Sequence, residues 1–163
     1  MMGKSYDISK NKEGIKEIKA NLESKKGELS KLEEQKKELL DAIMDVEGAK
    51  IDDNTKKVIE DSLKRSLEAN KNKGGELSNE LGQEMKKMEA IKQDAMESMA
   101  DATGQKNSLS KKKSLLDRFG IGKMLDGAAK SLDQNIKELE DVKDDSIETM
   151  RELEKASMKA STL

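Results

Sequence analysis

Lys111, Lys112 and Lys113 stand just ahead of Leu115, Leu116, Arg118, Phe119, Ile121 and Lys123. That grouping suits attachment more than catalysis: apolar side chains dock or insert while cations engage an anionic surface. From Lys106 to Lys123 six basic residues face one acidic residue, a net +5. From Asp133 to Glu154 nine acidic residues face three basic ones, a net −6. The basic stretch is therefore expected either to meet an anionic membrane surface or to complement the acidic stretch that follows it. Phe119 is the single Phe of the chain, set between Arg118 and Gly120. Gly120 and Gly122 permit positive φ on either side of Ile121. The first expectation is that Phe119 and Ile121 fold over the apolar tip of a helical bundle as a cap. The second is an exposed knob offered to a partner, with Leu115 and Leu116 beside it.

Other chemistry has less to stand on. With no His and no Cys, neither a Ser–His nor a Cys–His nucleophile can be assembled, and thiolate or imidazole metal sites are excluded. Carboxylates are plentiful, but they sit beside lysines on faces expected to be solvated. Tuning a carboxylate for acid–base work needs a dry pocket, which a chain with 1% aromatic residues is poorly equipped to wall off. The segment "IDDNTKKVIEDSL" lacks the central Gly and alternating ligands of an EF-hand, so its carboxylates are expected to cap a helix start. No enzyme activity, cofactor, metal or small-molecule substrate is expected. Nucleic acid is disfavoured as a partner, since stacking aromatics and an arginine stripe are lacking. Met85, Met88, Met96 and Met99 are clustered, and unbranched thioethers adapt to irregular partners. They are expected to fill gaps inside the fold, with reception of a partner helix as the alternative.

These residues must be positioned by helices. Charged residues make up 40% of 163, yet 32 basic side chains nearly cancel 34 acidic ones and the apolar residues are periodic. Ile8, Ile15, Leu22, Leu29 and Ile43 share one seven-residue register, interrupted by Lys36. Ile18, Leu32, Leu39 and Val46 share the second, interrupted by Lys25. This heptad pattern buries a seam against another helix and predicts a first helix over about 8–47, roughly 60 Å long at 1.5 Å per residue. Gly48 is placed to end it, with Asp53 or Asn54 available to cap the next. The second helix is predicted over about 54–102. Gly74 and Gly75 fall inside it as a weak point or kink, or else as a loop. A short helix is expected at 108–118 and a third long helix at about 122–157, on Leu125, Leu132, Leu139 and Leu153. The fold expected is all-α: a long antiparallel helical hairpin or coiled coil, extended to a three-helix bundle in one elongated domain, 1–163. Burial along such seams barely offsets the cost of ordering the chain, which invites self-association or a partner helix.

A small, all-helical chain with a glycine-containing inter-helix turn, "RFGIG" at 118–122, resembles the WXG100 and LXG-associated helical proteins of type VII secretion. The resemblance lies in architecture. There is no Trp-x-Gly, and the only tyrosine, Tyr6, is far from the C-terminal Tyr-x-x-x-Asp/Glu export signal of that family. It implies a partner, adaptor or chaperone of a secreted toxin. The expected function is thus a non-enzymatic helical adaptor or scaffold, binding another protein or itself through helix faces. A peripheral membrane-binding protein and a filament-forming rod are the alternatives. With no hydrophobic leader and no apolar run of membrane-spanning length, the expected location is the cytoplasm, or outside the cell without a cleaved signal.

Overall fold

The structure, a computed structural model, describes residues 6–163. These form three helices and no strands: α1 Ile8–Gly48, α2 Asp53–Asp117 and α3 Gly122–Ser161. The helices pack as an all-α three-helix bundle. Pairings give the directions. On α1 and α2, Lys25 bonds to Glu80 and Asn70 to the Leu32 carbonyl, so one number falls as the other rises and the two helices are antiparallel. Lys106 meets Asp133 and Lys113 meets Asp126, so α3 is antiparallel to α2 in turn.

The heptad positions are the ones that disappear from solvent. Ile8, Ile15, Ile18, Leu22, Leu29 and Leu32 of α1 are buried. On α2 Gly74, Leu81, Met88, Ala95 and Ala102, each seven after the last, are buried too. α2 is one unbroken helix of 65 residues through Gly74 and Gly75. A Cβ on Gly74 would come within 2.6 Å of the Ala160 carbonyl oxygen, so the missing side chain is what lets the end of α3 lie against α2. Gly75 faces open space. Two glycines cost a helix roughly 2 kcal/mol, which buried neighbours on either side, Asn70 and Leu77 among them, hold in check.

Two boundaries differ from the sequence expectation. The short helix expected at 108–118 is the last part of α2, which does not stop at 102. Ala102 is fully buried, Gln105 donates to Asp101 and Lys106 is paired, so the helix is held through Gly104, which alone is too weak a breaker to end it. The N-cap of α2 is Asp52, not Asp53 or Asn54. Its Oδ1 accepts the Thr55 backbone N–H at 3.0 Å, its Oδ2 accepts the Thr55 hydroxyl, and its carbonyl accepts the first helical bond from Lys56. Those bonds, the hydroxyl's first, hold the Asp52 carboxyl below its ordinary pKa of 3.8.

The described residues fall into two compact units. Unit 1 contains the chain up to Ile18 and Lys86–Met150. Its core joins Ile8, Ile15 and Ile18 to Met88, Ala95 and Ala102 and to Leu132, Leu139 and Val142. Ser146 and Thr149, also buried, return their hydroxyls to the carbonyls of Val142 and Asp145, which removes the penalty for burying them. Tyr6 donates its phenol to Asp101 at 2.9 Å. Partial burial first, and the Asp101 carboxylate second, push the Tyr6 pKa up to about 12. Unit 2 contains Lys19–Met85 and Arg151–Leu163. Its core joins Leu22, Leu29 and Leu32 to Leu77 and Leu81 and to Leu153, Ala156 and Ala160. Buried Asn70 donates to the Leu32 carbonyl at 2.9 Å, and Ser78 bonds to Ser157. Lys36 donates to the carbonyl of Leu163, which fastens the last described residue to α1.

Candidate interaction surface at the α2–α3 turn

α2 ends because Gly120 takes φ +75°, a conformation that side chains with a Cβ resist. The Ile121 N–H reaches back to the Leu116 carbonyl and the Gly120 N–H to that of Asp117, both at 3.2 Å. This 6→1 and 5→2 pair is a Schellman cap, which satisfies carbonyls that a helix end otherwise leaves open. α3 then starts at Gly122, which is buried. The Asp117 carboxylate occupies the space a Cβ there would need. The turn is therefore tight and built from specific residues.

What it displays is apolar. Phe119 is 72% exposed and Met124 77% exposed, with Leu115 and Ile121 also exposed and Leu116 half-buried. The expectation that Phe119 closes the end of the bundle as a cap is overturned. The Schellman cap ends the helix with backbone bonds, and Phe119 points outward at the cap residue itself. Around it Lys111, Lys112, Lys113, Arg118 and Lys123 are all exposed. Lys113 lies 3.3 Å from Asp126, and Lys106 pairs with Asp133. Part of the basic stretch thus complements α3. Among the described residues, Lys111, Lys112, Arg118 and Lys123 have no carboxylate partner.

The methionines do not form one surface. Met88 is fully buried, Met85 and Met99 are half-buried and Met96 is exposed. Their positions follow the helical period, with Met88 on the seam and Met96 turned away from it. The crevices in unit 2 are shallow clefts between charged side chains. The one between α1 and α3, about 590 Å³, is lined by Lys26, Glu33, Glu152, Lys155 and Lys159 around Leu29. Among the described residues no three carboxylates converge as metal ligands, and no helix is long and apolar enough to cross a membrane.

Sequence reasoning missed Met124, whose place just outside the Leu125 register was the available signal. It also missed Leu40 and Met44 of α1, exposed at 45% and 69%. Both fall off the Ile43 and Leu39 registers, where an apolar side chain has no seam to enter. No protein-family model matches the chain, and no curated protein or solved structure matches it.

Proposed function

We propose that the protein is a non-enzymatic helical adaptor or scaffold that acts by presenting helix faces and the α2–α3 turn to a partner protein. The architectural resemblance to type VII secretion-associated helical proteins makes a secreted toxin a natural partner. The observation that carries this reading is Phe119. A chain with a single Phe leaves it 72% exposed, in a cluster with Leu115, Ile121 and Met124. A rigid aromatic displayed at low conformational cost is the usual anchor of a protein interface. The test compares wild type with Phe119→Ala in affinity capture from cells that make the protein. One discrete protein retained by wild type and lost from the variant, with melting unchanged, is expected. Equal capture by both overturns the role of the turn.

A second reading, attachment to an anionic membrane surface, is favoured by the exposed lysines and arginine around the same apolar side chains. It requires co-sedimentation with phosphatidylserine-containing vesicles and its loss on Lys111, Lys112, Lys113→Glu. Absence of sedimentation at low salt removes it.

A further inference from the structure

The last turns of α2 have two unlike sides. Lys106, Leu109, Lys113 and Leu116, spaced three and four apart, fall on the side that meets α3. Leu109 and Leu116 are half-buried there, and the two lysines pair with Asp133 and Asp126. The other side carries Lys111, Leu115 and Arg118, with Lys112 and Phe119 beside them, and all of these are exposed. Ile121, Lys123 and Met124, exposed as well, follow directly after.

Charge is settled differently on the two sides. On the inner side α3 supplies a carboxylate for each lysine. On the outer side Lys111, Lys112, Arg118 and Lys123 have no carboxylate partner among the described residues. Asp117, the single acidic residue between Lys106 and Lys123, is engaged elsewhere, its carboxylate filling the space beside Gly122 at the start of α3. These cations thus stand around Leu115, Phe119, Ile121 and Met124 in a chain whose net charge is −2. Such a surface is complemented by a ligand that brings both carboxylates and an apolar side chain.

The interleaving of charge and apolar surface favours a protein over a bilayer as that ligand. A bilayer sorts side chains by depth, with apolar groups below and cations at the headgroups. Here Arg118 adjoins Phe119 and Lys123 adjoins Met124, so insertion that buries the two apolar side chains draws a cation down with each, at a cost. A peptide imposes no such sorting, because carboxylates and apolar residues alternate along it freely. Taking the turn as the protein-binding surface proposed above, we infer that the partner presents an acidic segment to it. One large apolar side chain of that segment seats against Phe119 and its apolar neighbours. Asp and Glu residues flanking it meet Lys111, Lys112, Arg118 and Lys123.

The probe is a displayed library of random peptides, selected on the full-length protein. Two variants serve as counter-targets, Phe119→Ala and the joint change Lys111, Lys112, Arg118, Lys123→Gln, each checked for folding by circular dichroism. Peptides selected by wild type are expected to be rich in Asp and Glu around a large apolar residue. Synthetic copies, titrated by fluorescence anisotropy, are expected to bind the Gln variant about tenfold or more weakly. They are also expected to weaken as salt rises and to lose binding to Phe119→Ala. Copies with their acidic residues changed to Lys are expected to bind Lys111, Lys112, Arg118, Lys123→Glu and not wild type. Peptides that need Phe119 yet bind the Gln variant as tightly as wild type overturn the acidic partner and leave the protein-binding turn standing. No selected peptide, or only peptides indifferent to Phe119, overturns both. Binding to phosphatidylserine vesicles that a selected peptide does not compete assigns the cations to a membrane and overturns the inference. So does a wild-type dimer that the Gln variant dissociates, which makes a second copy the occupant.

Discussion

Adjacent residues in this chain can have opposite roles, and the two glycines of α2 show it most sharply. Gly75→Ala puts a methyl into open space on a helix and is expected to raise stability by up to about 1 kcal/mol. Gly74→Ala drives the same methyl towards the Ala160 carbonyl, so the last turns of α3 must move. That variant is expected to melt lower than wild type, with exchange protection lost at 156–163, as thermal denaturation and hydrogen exchange will show. Leu81, fully buried on the α2 seam, is expected to cost about 2 to 5 kcal/mol when changed to Ala, measured by urea denaturation. Phe119→Ala is expected to alter stability by less than about 0.5 kcal/mol, as surface substitutions usually do. A large loss would mean that the ring is buried after all.

Individual helices are held at their ends by groups whose titration can be followed. Asp52 caps α2 as a carboxylate, and its pKa is lower in the folded protein than in the unfolded chain. Its contribution is therefore complete above the unfolded value, near 4, and is lost as pH falls through the folded value. Asp52→Asn keeps an acceptor for the Thr55 N–H but no titration, so wild type and this variant are expected to converge in melting temperature as the pH drops below 4. Tyr6 behaves with the opposite sign. Its folded pKa is raised to about 12, so its bond to Asp101 contributes fully below pH 10 and is lost as pH rises towards 12. The stability advantage of wild type over Tyr6→Phe is expected to fade across that interval. Much at this scale was legible in the residues: the seven-residue registers placed α1 and α3 within a few residues of their ends, and α1 does end at Gly48, though as its last helical residue and without the positive φ of a C′ glycine. The continuity of α2 past 102 was not, because what sustains it is an ion pair from Lys106 to a residue of α3 and the burial of Ala102. Neither is a property of the local sequence. The cap at Asp52 was misplaced by one residue among adjacent acidic side chains, since which one turns inward depends on the exit angle of the loop.

At the scale of the whole molecule, the heptads specify a core in each unit, and the proposed interaction surface is one they do not cover. Composition alone pointed to the basic stretch and to Phe119, but not to whether that ring faces inward. That depends on the Schellman cap, which ends α2 without it. If the α2–α3 turn is where a partner binds, a photo-activatable side chain placed on it will capture protein, and one placed elsewhere on an equally exposed helix face will not. The most direct measurement is therefore a cross-linking comparison in cells that make the protein. The photo-activatable residue is placed at position 119 and at 23, the latter an exposed carboxylate position on α1 whose side chain is 73% accessible. Discrete protein adducts at 119 and none at 23 are the result predicted. Adducts at both alike, or at 23 only, would contradict the account.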